Sequence, residues 1–212
     1  MSAPTPVTLI GFRHSVYQRI VRVALHEKEV AYSVEEIDPF DAELAERLRN
    51  LHPFRRVPAL RHAGFHLYET AAITRYIDLA FDGPSLVPND PQEAARMAQV
   101  IAIWDAYGYR PMIRQVFARR IFEPWANTSA NEAEIARGID GARAVLAALE
   151  AIAREGIILT GRTITLADCH SGAMMDYFAR TPEGATLLGS HPHLHAWWQV
   201  MRERASITVL NL

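Results

Sequence analysis

Residues 55–73 read RRVPALRHAGFHLYETAAI. VPALRH and FHLYE, separated by Ala63-Gly64, form the pattern of a β-hairpin. Pro58 stands at the start of its first strand, where the missing N–H takes no ladder bond away. If the Val57–Pro58 bond is cis, the chain turns sharply there. The N–H and C=O of Val57 then face outward and can pair with an extended peptide. A trans proline on an edge strand is the plainer alternative. Glu69-Thr70 follows where the second strand enters a helix, and the free N–H groups of a helix start favour a carboxylate. Thr70 adds a hydroxyl donor, and Glu69 can accept from an ammonium. Either residue can also be a simple cap. Together the two motifs describe a slot for a zwitterionic peptide, with one part on the backbone of Val57 and a terminal carboxylate on Thr70.

Working outward, residues 7–12, VTLIGF, are strand-like. Residues 15–27 carry Val16, Ile20, Val23 and Ala24 at helical spacing. Strand chemistry returns near Val30–Val34, and DAELAERLRNL from Asp41 places Leu44, Leu48 and Leu51 on one helical face. TAAITRYIDLAF is helical again. The expected order is β-α-β-α-β-β-α over residues 1–83, the size of one small domain. DGPSLVPNDP, rich in proline, reads as a linker. A second, all-helical domain is expected over residues 90–212, opened by Asp90 as cap, Pro91 and Glu93. Ser129-Ala130-Asn131-Glu132 reads as another capping box. After it Ile135, Ile139, Ala142, Val145, Leu149 and Ile152 keep helical period. Pro111, with Gly108 nearby, is expected to kink the first long helix, Pro91–Phe122. The bend either wraps the core or opens a cleft.

Half of the 212 residues are hydrophobic, and 22 basic residues nearly balance 24 acidic ones. Both halves of the chain are close to neutral, which argues against a non-specific nucleic-acid or membrane-surface binder. Lys28 is the only lysine and Cys169 the only cysteine, so no internal disulfide or CxxC pair exists. MSAPTPV lacks the regions of a signal peptide, and no run reaches the ~20 apolar residues of a membrane span. These features favour the cytoplasm. HPHLH at 191–195 crowds three histidines, but Pro192 as a first helical residue would scatter them, so no metal is expected.

RVPAL, YETAAITRYID and ITLADCH, in that order, resemble the glutathione S-transferase superfamily, as a serine-type, bacterial-like cytosolic member. The resemblance implies a thioredoxin-like N-terminal domain followed by an all-helical one, with glutathione as co-substrate. It implies that Pro58 is a cis-proline, that Val57 bonds the cysteine of glutathione, and that Glu69 and Thr70 hold the γ-glutamyl end. Arg56 would meet the glycine carboxylate. Ser15, in GFRHSVYQRIVRVAL, falls where serine-type members carry the hydroxyl aimed at the sulfur, with Tyr17 as a rival. Lowering a thiol pKa by ~2 units takes roughly 2.7 kcal/mol. One hydroxyl donor and a helix N-terminus are enough in kind. Arg13 and His14 could add positive charge. The resemblance makes Thr165 and Asp168 a capping box, with Ile164 and Cys169 in staple positions, all structural.

Two departures stand out. Many members carry Asn-Pro and then a Gly-Lys or Gly-Gln pair before Val-Pro, where this chain has His52-Pro53 and Arg55-Arg56. Arg55 in place of glycine would alter the loop. The acceptor pocket is expected to draw on His14, Tyr107, Arg110, Arg114 and Phe117. The implied activity is conjugation of glutathione to a small, largely hydrophobic electrophile. A non-catalytic interaction protein on the same fold, or a glutathione-dependent isomerase, dehalogenase or peroxidase, stays open. A homodimer is expected, because Met97, Ile101 and Trp104 form an apolar stripe that needs cover.

Overall fold

The structure is a computed structural model that describes residues 6–125 and 129–210, without the side chains of residues 42–45 and 125. The chain divides into two compact units. One runs to Leu86 and takes back the chain end from Val209; the other is Val87–Thr208.

The first unit follows the order β1 (Val7–Gly11), α1 (Val16–Glu27), β2 (Tyr32–Glu36), α2 (Ala42–Arg49), β3 (Ala59–His62), β4 (Phe65–Tyr68) and α3 (Thr70–Ala80). The sheet order is β2-β1-β3-β4, with β1 parallel to β2 and the other pairs antiparallel. This is the expected thioredoxin-like arrangement. Strand alternation sorts the core into two layers. Val7, Leu9 and Leu60 pack with Val21 and Leu25 of α1 and Ile73 and Ile77 of α3. Ile10 and Ala59 pack on the opposite face with Ile37 and Leu48. Leu44, the third expected partner on α2, lies outside the described side chains.

The hairpin forms on Ala63 at φ +53° and Gly64 at φ +80°, the two left-handed residues that a tight two-residue turn requires. β2 starts at Tyr32, later than Val30, for a local reason. Glu29 turns the chain at φ +57°, and the Val30 N–H is taken by the Leu25 carbonyl at 2.9 Å. Lys28 is buried and meets Asp78 at 3.6 Å, while Leu86 donates its N–H to the same carboxylate at 2.7 Å. The chain end returns to α1, where buried Arg19 donates to the Leu210 carbonyl.

The second unit is helical. α4 (Pro91–Ile103) is capped by Asp90, which accepts from Gln92 and Glu93 N–H at 2.9 and 3.0 Å. The helix then widens into a π-type stretch, Trp104–Phe122, that carries Pro111 in its interior. The expected α-helix is a π-type helix around Pro111, and the wider turns accommodate a residue that lacks an N–H. α5 (Glu123–Trp125) ends this run, and α6 (Glu132–Arg154) packs against it. Contact is close because Gly138 and Gly141 face Pro111; a Cβ on Gly138 would lie 2.7 Å from the Pro111 carbonyl oxygen. The cap of α6 is Asn131, which accepts from Glu134 N–H at 3.1 Å, and not Ser129. Two capping frames overlap in this sequence, and the one adjoining the apolar period is used.

The remaining helices are α7 (Leu166–Phe178), α8 (Pro182–Gly189), α9 (Pro192–Met201) and α10 (Ala205–Thr208). α7 is the buried centre, and Cys169 is enclosed in it. Met97 and Trp104 are also buried, with the Trp104 indole N–H on Ser171 Oγ at 2.7 Å. Two residues of the stripe expected to need a partner subunit are thus covered within the chain, while Ile101 is half-buried.

Candidate functional site

The register of the β3–β4 hairpin brings the two motifs of the opening stretch together. Ala59 and Tyr68 form the last pair of the ladder, so Val57 and Pro58 lead into it on one strand and Glu69 and Thr70 leave it on the other. The end of β1 reaches the same edge, because Ile10 pairs with Ala59. At Gly11 the backbone passes so close that a Cβ would strike the Gln18 side chain and stand 3.3 Å from Val57 Cβ. The turn to Ser15 leaves from that point, with Ser15 N–H on the Phe12 carbonyl at 2.8 Å.

The Val57–Pro58 bond is cis; Pro58 is buried and Val57 half-buried. Ser15 is the N-cap of α1, and its hydroxyl accepts a long 3.4 Å bond from Gln18 N–H. It is half-buried, so a hydroxyl over a helix N-terminus remains within reach of a ligand. Glu69 caps α3 through its backbone alone: Ile73 N–H bonds its carbonyl at 2.9 Å, while its side chain makes no cap bond and is 63% exposed. Its φ is +71°. Left-handed backbone at a residue other than glycine costs ~1–3 kcal/mol and collects at functional positions. Thr70 is the first helical residue and is buried. Arg56 is exposed, and Arg55 takes φ +53°. The loop thus holds at Arg55 the backbone shape that a glycine favours.

His52 is buried in this loop. Its Nδ1 accepts the Phe54 N–H at 3.2 Å, its ring lies 4.7 Å from that of Tyr68, and its Nε2 stands 3.6 Å from Glu69 Oε1. Burial lowers its pKa first, Glu69 raises it, and Arg56 lowers it, for a net fall below 6.5. The ring is therefore neutral at pH 7, and with Nδ1 accepting, the proton sits on Nε2.

The charge expected from Arg13 and His14 is corrected. Arg13 is tied to Glu36 at 3.3 Å through Nε and 2.9 Å through its N–H. Burial, then Arg13, lower the pKa of His14 below 6.5, which leaves it neutral. The cation that sequence reading missed is Arg19, buried in α1 with its guanidinium on the Leu210 carbonyl and its charge adding to the lowering of the His14 pKa. An arginine within an apolar helix face was the available signal.

Residues 9–85 match the family described as "Glutathione S-transferase, N-terminal domain", and residues 100–205 match "Glutathione S-transferase, C-terminal domain". The chain belongs to the glutathione S-transferase family. Glutathione S-transferase F13 of Arabidopsis thaliana is 29% identical over 203 residues, covering 92% of this chain and 90% of the relative. Glutathione S-transferase 1 of Triticum aestivum is 27% identical over 215 residues, covering 96% and 92%. Among solved structures, glutathione S-transferase III in its apo form superposes with a TM-score of 0.85 at 25% identity, covering 97% of this chain and 95% of that one. These curated relatives are plant proteins, so they lend no support to the expected bacterial-like placement.

Within this family member the expected acceptor residues separate. Phe117 is withdrawn: it is fully buried and stacks on Tyr177 at 4.0 Å and 12°, which makes it core. Tyr107 is 67% exposed. Arg110 and Arg114 are exposed and line a cleft of about 410 Å³ in the helical unit, together with Tyr109, Gln115, Arg119 and Glu134. The capping box of α7 forms as expected and is wholly internal. Asp168 accepts from Thr165 N–H, Thr165 Oγ1 and the Trp197 indole at 2.9, 2.7 and 2.8 Å. Among the described residues no group of three or more His, Cys, Asp or Glu could hold a metal ion, and no helix is long and apolar enough to cross a membrane. His191 turns to the Leu187 carbonyl and His195 to Gln199, so the HPHLH rings diverge.

Proposed function

We propose that the first unit binds glutathione in an extended form and presents its sulfur as a thiolate. Glu69 takes the γ-glutamyl ammonium, Thr70 its carboxylate, the Val57 backbone the cysteine, and Arg56 the glycine carboxylate. The observation that supports this reading is the sheet register: Ala59 pairs with both Ile10 and Tyr68, so the ladder ends one residue from Pro58, Gly11 and Glu69.

Ser15 is assigned to the sulfur as hydrogen-bond donor. A thiol of pKa ~8.5 lowered by two units needs ~2.7 kcal/mol of preference for the anion. A charge-assisted hydroxyl bond and the N-terminus of α1 supply terms of that size. The thiol proton leaves to solvent. The sulfur lone pair then forms a bond to an electrophilic carbon, which either expels its leaving group with the bonding pair or takes up a proton on the neighbouring atom. Proximity supplies much of the rate. His14, Tyr107, Arg110 and Arg114 are assigned to the electrophile, a small and largely hydrophobic molecule.

Assembly as a homodimer in the cytoplasm and a role in detoxification belong to the same reading. Family membership supports them, and the apolar side chains that the first unit exposes, Phe54 at 71% and Phe65, support assembly. Ser15→Ala tests the assignment. The variant should lose about 10²-fold in kcat for conjugation, the usual effect of removing one donor to a developing anion, while the Kd for glutathione changes little. Full kcat in the variant moves the thiolate contact to Tyr17 or His14. A wild-type protein that neither elutes from immobilised glutathione with free glutathione nor turns over electrophiles supports an interaction protein instead.

A further inference from the structure

Many members of the family place an asparagine where this chain has His52, and the imidazole does something that an asparagine cannot. The two ring nitrogens face different elements, Nδ1 in a hydrogen bond and Nε2 in a polar contact just beyond hydrogen-bond distance. Nδ1 accepts the Phe54 N–H at 3.2 Å, inside the loop that carries Arg56 and Val57. The backbone of His52 fixes the same loop: its N–H bonds the Leu48 carbonyl at 2.7 Å, and its carbonyl accepts from Arg55 N–H at 2.9 Å. Nε2 points the other way, to Glu69 at the start of α3, 3.6 Å from Oε1. An asparagine amide oxygen can replace Nδ1, but the side chain is too short to replace Nε2 as well.

Resting on the glutathione reading above, we infer that His52 is a positioning residue that couples the two halves of the peptide slot, holding the Arg56–Val57 loop with one nitrogen and the Glu69 carboxylate with the other. Glu69 needs such a partner. It makes no cap bond of its own, its side chain is largely exposed, and its backbone is held at φ +71°. A carboxylate free to rotate loses orientation when it must meet an ammonium, whereas a neutral N–H donor steers it without cancelling its charge. Neutrality is kept because burial and Arg56 outweigh Glu69 in setting the imidazole pKa. Tyr68 packs against the ring at 4.7 Å with the planes tilted by 40°, which limits its rotation. The substitution of histidine for asparagine therefore supports glutathione binding in this chain.

Two variants separate the two nitrogens. His52→Asn keeps an acceptor for Phe54 N–H and loses the reach to Glu69. His52→Gln keeps a donor at the reach of Nε2. By calorimetry, H52N should weaken glutathione binding by up to about tenfold, through loss of the polar N–H that faces the Glu69 carboxylate, with Tm and kcat at saturating glutathione close to wild type. H52Q should recover part of that loss. In an H52N/E69Q double variant the two losses should not add, because each removes the same contact. A second readout needs no ligand. In ¹⁵N spectra of the free full-length protein, His52 should be the neutral Nε2–H tautomer, and E69Q should lower its pKa, since Glu69 raises it. Equal glutathione affinity in H52N, or additive losses in the double variant, overturns the coupling. So does an E69Q protein with unchanged His52 titration. If wild type binds no glutathione at all, the functional reading falls and this role with it; an intact response of His52 to E69Q then shows that the failure lies with the ligand and not with the contact.

Discussion

Two helix starts in this molecule use the same ingredients, a threonine and an acid, to opposite ends. At α7, Thr165 comes first and Asp168 sits three residues into the helix. The carboxylate is fully buried and takes three donors, two from Thr165 and one from Trp197. At α3 the acid comes first. Glu69 occupies the cap position with a left-handed backbone, bonds no helix N–H through its side chain, and turns to solvent beside His52, while Thr70 is buried behind it. An acid at the third helical position folds back on the cap. The same acid at the cap, on a reversed φ, is carried outward. The first arrangement serves the fold and the second presents groups to a ligand.

The sharpest break of that comparison is Asp168→Ala. It strands a buried N–H, a hydroxyl and an indole N–H, and should cost about 3–5 kcal/mol of stability. The folded fraction should bind glutathione with unchanged affinity. Thermal unfolding followed by calorimetric titration below the new Tm measures both; a small change in Tm would put the α7 box among the surface caps.

How much of this was legible in the sequence depended on whether one short segment held the whole signal. The Ala63-Gly64 turn, the Asp90-Pro91 start and the Thr165 box were readable because turn and cap chemistry is local. The order of Ser15, Val57 and Thr70 along the chain was readable from the motifs, and the sheet register ends with Ile10, Ala59 and Tyr68 close to each of them in sequence. Features set by packing were not. Phe117 looks like a pocket residue until Tyr177 stacks on it, and the Met97–Trp104 stripe looks uncovered until Ser171 of α7 receives the indole. The π-type turns around Pro111 follow no hydropathy period, since the apolar spacing there does not distinguish wider turns from a kink. Arg55 in the left-handed region could not be foreseen, because a loop held at both ends can impose a φ that its residue disfavours.

At the other start, Thr70→Val should weaken glutathione binding by ~1.5–3 kcal/mol, the loss of a hydroxyl bond to a carboxylate, with Tm little changed. Calorimetry with the same Kd as wild type would remove Thr70 from the γ-glutamyl end. Glu69→Gly and Arg55→Gly then separate strain from function, since both relax a positive φ. Each should leave stability unchanged or raise it by up to about 1 kcal/mol. Only Glu69→Gly should lose glutathione affinity, by tenfold or more, and equal behaviour of the two would erase the distinction.

The smallest effect is in the acid limb of stability. His14 and His52 are both held below their ordinary value of 6.5, by burial first in each case. A histidine with a depressed folded pKa binds its proton less readily folded than unfolded. Its contribution is complete above pH ~6.5 and shrinks as the pH falls toward the folded value. Unfolding midpoints from pH 7.5 to 5 should therefore decline, and H52N should decline less steeply. A parallel decline would assign the slope to other groups.

The central claim is that the edge gathered around Ser15 binds glutathione and holds its sulfur ionised. The absorbance of the thiolate, titrated with pH on the glutathione-bound wild type and on Ser15→Ala, tests it most directly. The account predicts a bound thiol pKa about two units under the ~8.5 of a free thiol, rising back toward that value in the variant. A bound wild-type thiol that titrates like free glutathione would contradict it.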